Sequence, residues 1–163
     1  WYNPNIHPYQ EYKARRDTLM AYAPSVGVEL IVQEDYGLRD FVRHVAADID
    51  RRCVYCYEHR LKGTAQYAAE HGFAAFTSTL LASTYQNHEA IAAAAEMYAR
   101  QYGVEFLYRD FRSNFRAGNQ RARELGFYMQ KYCGCVFSEA DRYQKQIDRD
   151  RAKFDAEEAA RQG

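Results

Sequence analysis

A chain of 163 residues is long enough for one hydrophobic core that buries roughly two thirds of the surface its unfolded form exposes. Its 22 basic residues balance 22 acidic ones, which excludes a global field toward nucleic acid or an anionic membrane and confines any polyanion contact to a local patch. No apolar run approaches the roughly 18 residues of a membrane span, and the opening Trp1-Tyr2-Asn3-Pro4 shows neither an initiator methionine nor a signal peptide. The expectation is a soluble, cytoplasmic protein with no membrane partner, with sequence missing before Trp1.

In chain order, Trp1-Tyr2 reads as the tail of a first strand and Asn3 to Pro8 as the turn leaving it, with Pro8 placed to open a helix that runs to about Ala23. Runs rich in branched and aromatic residues, Val28 to Val32, Phe73 to Thr79 and Val104 to Tyr108, have strand length. Between them apolar residues recur at helical spacing: Leu38, Phe41, Val42, Val45 and Ile49; then Leu61, Ala65 and Ala68; then Ile91, Ala94, Ala95 and Tyr98. Gly27, Gly72 and Gly103 each precede a strand, where a left-handed residue closing the helix before it is expected. The alternation predicts an α/β domain over residues 1–163, with a parallel sheet covered by helices on both faces. Its core spans 1–137; from Ser138 to Gly163 a charged helical extension follows, capped by Ser138-Glu139-Ala140-Asp141 and anchored by Tyr143, Ile147 and Phe154.

All four cysteines fall in two tight pairs, Cys53-Val54-Tyr55-Cys56 and Cys133-Gly134-Cys135. A two-residue spacer lets both sulfurs of one turn face the same ion, and Gly134 frees the backbone so that its two neighbours point together. Four thiolates suit a tetrahedral zinc or an iron–sulfur cluster, and spacing alone does not choose between them. A redox dithiol at Cys53 and Cys56 leaves the second pair unexplained, and disulfides are rare in a cytosolic protein. Arg51, Arg52, His59, Arg60 and Lys62 bring positive charge to the first pair, favouring thiolates and an anionic cluster.

Phe76-Thr77-Ser78-Thr79-Leu80-Leu81 ends a strand in hydroxyls, and Asn87 then caps the helix that carries His88 and Ile91. Ligands of open α/β sheets bind beyond the carboxyl ends of strands, and a helix N-terminus there offers N–H groups to a phosphate. After Tyr108, the stretch from Arg109 through Asp110, Phe111, Arg112, Phe115 and Arg116 to Arg121, Arg123 and Lys131 has only Asp110 and Glu124 as acids. This is the local patch the balanced charge requires. Its arginines can hold phosphates while Phe111, Phe115 and Tyr128 stack on splayed bases, although a merely solvated helix face reads the same way. The same ambiguity attends the 15 tyrosines, which suit base stacking but also fill the edge of a core.

Five blocks occur in order from Trp1 to about Ser138: WYNPNIHPYQEYKARR, RRCVYCYEHRL, FTSTLLASTYQNHEAI, VEFLYRDFR and YMQKYCGCVFS. Together they resemble the QueH-type, cobalamin-independent epoxyqueuosine reductases. The resemblance implies a three-layer α/β fold of the nucleotide-hydrolase, or HUP-like, kind. It also implies an oxidoreductase that deoxygenates epoxyqueuosine to queuosine at the tRNA wobble position, taking up two electrons and releasing water. It further implies a 4Fe-4S cluster, an additional iron or zinc ion acting as Lewis acid on the epoxide oxygen, and Cys53, Cys56, Cys133 and Cys135 as metal ligands. The partners it implies are tRNA containing epoxyqueuosine and an electron donor such as ferredoxin or flavodoxin. Asp110, Tyr85 and His88 lie in matching motifs as candidates for proton donor or substrate contact, with Asn87, Arg109, Arg112 and Arg116 as candidates for substrate binding. The family pattern begins with a strand followed by adjacent cysteines. This sequence starts after that point, so the expectation is an N-terminally truncated, inactive piece with an incomplete first strand.

Rival readings are a zinc-stabilised RNA-binding module without catalysis, a tRNA-thiolating enzyme, which would need a glycine- and serine-rich phosphate loop, and a thiol oxidoreductase cycling Cys53 and Cys56.

Overall fold

The structure, a computed structural model, describes residues 3, 5–32 and 35–162. Helix α1 (Tyr9–Tyr22) follows Pro8, which sits at its N-cap in extended conformation, and a 3-10 turn over Ala23–Val26 continues it. Helix α2 (Leu38–Val45) buries Phe41 and Val45. Helix α3 (Arg52–Glu70) buries Tyr57, Leu61, Ala65 and Ala68, and α4 (His88–Tyr102) buries His88, Ile91, Ala95 and Ala99. In both helices the buried positions recur every three or four residues, so each presents one stripe, and the two stripes pack together. Alanine at the contact lets the axes approach closely; Ala65 and Ala95 are fully buried.

Strands β1 (Ala75–Phe76) and β2 (Glu105–Phe106) pair in parallel, Ala75 opposite Glu105 and Phe76 opposite Phe106, with α4 as the crossover. This is a helix-rich α/β arrangement in which Phe76, Leu80 and Leu81 close the core under α3 and α4. Gly27, Gly72 and Gly103 all adopt the left-handed conformation expected of them. Helix α5 (Phe115–Glu124) follows a 3-10 turn over Arg112–Asn114, and α6 (Val136–Gln162) ends the chain. Among the described residues no helix is long and apolar enough to cross a membrane.

Several expectations are corrected. Both strands are shorter than their apolar runs, because the chain turns into a 3-10 helix at Thr79 and the ladder stops at Leu107 N–H to the Phe76 carbonyl, 2.9 Å. Residues 28–32 form no strand: Val28 and Ile31 are exposed, and branched side chains favour a strand only where a neighbour pairs with it. The first-strand reading of Trp1-Tyr2 lies outside the described residues. Helix α6 begins at Val136, two residues before the supposed cap; there Ser138 Oγ accepts from Gly134 N–H and donates to the Cys135 carbonyl. Ile147 and Phe154 are exposed, so they do not anchor it; Asp141 does, through a 2.5 Å ion pair with Arg52.

Candidate metal centre

The first thiol pair sits where α3 begins. Asp48 caps the preceding 3-10 turn by accepting from Arg51 N–H, and Cys53 and Cys56 then share the first helical face, three residues apart. Of the five basic residues expected beside them, the fields of Arg52 and Arg60 reach the sulfurs. His59 is instead in an aromatic column, its ring stacked on Tyr55 at 5.6 Å with His44 on the other face at 4.7 Å.

The second pair lies in a loop that residues 5–15 hold by hydrogen bonds. Arg15 Nη1 donates to the Cys133 carbonyl and to Gln130 Oε1, both at 2.8 Å, and Nη2 donates to the Tyr132 carbonyl at 3.0 Å. Its charge is met by Glu11 at 2.6 Å, whose second oxygen accepts from the Tyr128 hydroxyl. His7 adds its backbone N–H to the Gly134 carbonyl at 2.8 Å, while the Tyr132 hydroxyl donates to the His7 carbonyl at 2.6 Å and Val136 N–H points at His7 Nδ1. Burial lowers the pKa of His7 to about 4, keeping the ring neutral and able to accept there. Gly134 earns no explanation from φ, which is not left-handed; a Cβ at Gly134 would stand 3.3 Å from both the Asn5 carbonyl oxygen and Ile6 Cγ1, so its role is close approach. Tyr128, expected to stack on a base, has its hydroxyl committed to Glu11.

These two anchorages bring all four thiols into one electrostatic neighbourhood. Burial pushes the Cys53 thiol up and Arg52 pulls it down, with Cys133, Cys135 and Cys56 adding upward pressure. Burial likewise raises Cys56, opposed by Arg60 and by the side chain of Asn5, and again Cys133 and Cys135 contribute. Further donors face sulfur: Gln86 Nε2 lies 3.2 Å from Cys133 Sγ, and Ser138 N–H lies 3.4 Å from Cys135 Sγ. The Asn5 side chain is buried and serves as a hydrogen-bond donor toward the Cys56 thiol. Among the described residues no three His, Cys, Asp or Glu side chains already close around one point. Neutral thiols have no cause to close; thiolates converge when a cation offsets their repulsion, and ligand deprotonation is coupled to metal binding. The donor set, four free thiols with N–H groups and two guanidinium groups beside them, fits a thiolate-bound metal or cluster.

The strand-end residues adjoin this centre. The Tyr57 hydroxyl donates to Gln86 Oε1 at 2.7 Å, linking α3 to the segment before α4; burial raises the Tyr57 pKa to about 12. The Asn87 side chain accepts from Ala90 N–H, so it is spent on capping α4. Buried His88 has Nε2 at 3.1 Å from the Ser83 carbonyl, which makes Nε2 the protonated nitrogen, and Nδ1 faces the Tyr108 hydroxyl. Tyr85 is 85% exposed; among the described residues its ring meets Phe115 in a T-shaped contact at 6.2 Å and otherwise stays open to solvent. Arg112 grips Asp110 through Nε and Nη2, and these bonds hold the Asp110 carboxyl well below the usual range; it is a poor proton donor near neutrality. Arg109 and Arg116 are exposed on the same stretch.

Sequence reasoning missed Asn5, His7, Glu11, Arg15, Tyr57, Gln86 and Tyr132. For Glu11 and Arg15 the only local signal was an acid–base pair four residues apart; the others act through partners far along the chain.

The family described as "Epoxyqueuosine reductase QueH" matches residues 1–141. A protein named "Epoxyqueuosine reductase QueH" from Dehalococcoides mccartyi is 39% identical over 145 residues, covering 89% of this chain and 80% of the relative. Proteins of the same name from Thermotoga maritima and Haemophilus influenzae are each 34% identical, covering 91% and 86% of this chain and 82% and 60% of their own lengths.

Proposed function

We propose that this chain, which belongs to the epoxyqueuosine reductase QueH family, removes the epoxide oxygen of epoxyqueuosine in tRNA with a metal group held by Cys53, Cys56, Cys133 and Cys135. The observation that carries the reading is that the charges of Cys133 and Cys135 reach Cys53 and Cys56, a pair far away in sequence, while Gln86 and the Ser138 N–H aim donors at the sulfurs of the second pair. The reaction breaks both C–O bonds of the epoxide and forms the C=C bond of queuosine. Two electrons and two protons are taken up, and the oxygen leaves as water. When bound, an iron–sulfur cluster, which we take to be 4Fe-4S, supplies electrons one at a time. The additional iron or zinc ion that the resemblance implies would act as Lewis acid on the epoxide oxygen.

The chain's own residues prepare the site and grip the nucleic acid. Arg52 and Arg60 offset the negative charge of the thiolates. Tyr85 stacks on a base of the unpaired loop, while Arg109 and Arg116 hold phosphates. Asp110, kept ionised, organises Arg112 for a phosphate or ribose contact. His88, committed to Ser83, fixes the approach of Tyr85 and Asn87. Asn87 keeps the N-terminus of α4 ordered near the phosphates. The two described strands belong, in this reading, to a wider parallel sheet with helices on both faces. The chain is one domain, with 138–163 as an extension and a ferredoxin or flavodoxin as electron source in the cytoplasm.

Metal analysis of anaerobically purified protein tests this. Iron with sulfide and broad visible absorption supports the reductase. Colourless protein with stoichiometric zinc that binds RNA contradicts it, and favours a zinc-stabilised RNA-binding module.

A further inference from the structure

Gln86 stands between Tyr85 and Asn87, and neither stacking nor capping accounts for its side chain. Nε2 lies 3.2 Å from Cys133 Sγ and Oε1 lies 2.7 Å from the Tyr57 hydroxyl. The backbone N–H of Asn87 can only donate, and it points at the Tyr57 oxygen across 3.3 Å. The phenol therefore accepts at that side and has its own proton to give to Gln86. The amide oxygen takes that proton, which turns the NH2 group toward the sulfur. Tyr57 is 5% exposed and belongs to the core between α3 and α4, so the ring cannot swing aside to release the amide.

We propose that Gln86, locked by Tyr57, is a positioning residue that donates a hydrogen bond to the Cys133 thiolate and raises the reduction potential of the iron–sulfur group bound there. The inference rests on the reading of the four cysteines as cluster ligands. Reduction adds negative charge, part of which falls on the ligand sulfurs, and a hydrogen bond to a more negative acceptor is stronger. A donor already aimed at the sulfur thus favours the reduced form without reorganising. A polar link that merely joined α3 to the start of α4 would leave the potential where it was.

The test is a redox titration of anaerobically reconstituted protein, followed by optical and electron paramagnetic resonance spectra, for wild type, Gln86→Leu, Gln86→Glu and Tyr57→Phe, with iron and sulfide assayed in each. Gln86→Leu is expected to keep the metal content and to disfavour reduction about tenfold, a shift of about 59 mV to more negative potential for a one-electron couple. Gln86→Glu, which turns a negative acceptor toward the sulfur, shifts it further. Tyr57→Phe, which frees the amide but touches no sulfur, shifts it less in the same direction, and carries the test if the Gln86 variants fail to load. Loaded variants whose equilibrium moves less than about twofold, where loss of a charge-assisted bond predicts about ten, overturn this inference and leave the reductase reading standing. Wild-type protein that takes zinc but neither iron nor sulfide overturns both.

Discussion

Leu61, Ala65, Ile91 and Ala95 meet across α3 and α4 with their side chains wholly apolar and almost fully buried, whereas the loop carrying Cys133 and Cys135 is held to residues 5–15 by hydrogen bonds from Arg15, His7 and Tyr132. The difference lies in what each kind of contact determines. Apolar packing is non-directional and scales with area, so it holds two helices together while tolerating small slides. Hydrogen bonds depend steeply on distance and angle, so a loop held by them has its carbonyls placed within narrow limits. The core supplies a platform for Cys53 and Cys56 at the start of α3, and the polar network sets the second pair against it.

Substitutions in the two regions break that contrast in different ways. The largest effect is expected for Arg15→Met. The Arg15 and Glu11 side chains are only 12% and 8% exposed, so the change leaves a carboxylate shielded from water without its partner and releases two loop carbonyls. A loss of about 3–5 kcal/mol is expected in urea denaturation, with loss of bound metal. A loss below about 1 kcal/mol would mean that the pair acts as an exposed one. Leu61→Ala removes a core side chain that is 1% exposed and should cost about 2–4 kcal/mol, while protein that remains folded keeps its metal. Metal loss from folded Leu61→Ala would erase the distinction between platform and clamp.

Acid should separate the regions without mutation. The pKa of His7 falls from 6.5 to about 4 on folding, so the folded state favours the neutral ring. Stability from this source is complete above the unfolded value and declines as pH drops from 6.5 toward 4, by on the order of 2–3 kcal/mol. Protonation would place a second N–H at Nδ1, opposite Val136 N–H. Denaturation midpoints measured across that interval should fall for wild type and fall much less for His7→Gln. The smallest effect, about 1–2 kcal/mol, is expected for Gly134→Ala, whose new Cβ would press on the Asn5 carbonyl oxygen and Ile6 at 3.3 Å. It should appear as a lower melting temperature together with faster loss of metal to a chelator.

What was legible in the sequence follows the same division. The stripes of α3 and α4, left-handed Gly27, Gly72 and Gly103 and the two cysteine pairs are local patterns, and spacing of three, four or two residues encodes the stripes and the pairs directly. The branched run at 28–32 misleads because its composition favours a strand while pairing depends on a neighbour that composition does not specify. Ile147 and Phe154 mislead similarly, since an apolar residue in a charged helix implies no surface to cover it. Glu11, Arg15, Tyr128 and Gln86 act through bonds between residues distant in sequence. Nothing in their own neighbourhood announces that Tyr128 serves a carboxylate on α1, or that Gln86 rather than Asn87 faces a sulfur.

The central claim is that the two cysteine pairs form one site. Iron and sulfide per chain, measured after anaerobic reconstitution for wild type and for the double variants Cys53→Ser/Cys56→Ser and Cys133→Ser/Cys135→Ser, test it most directly. A single shared site predicts that either double variant loses essentially all of its bound iron and sulfide. Two independent sites predict that each variant keeps the share belonging to the intact pair, and that result would contradict the account.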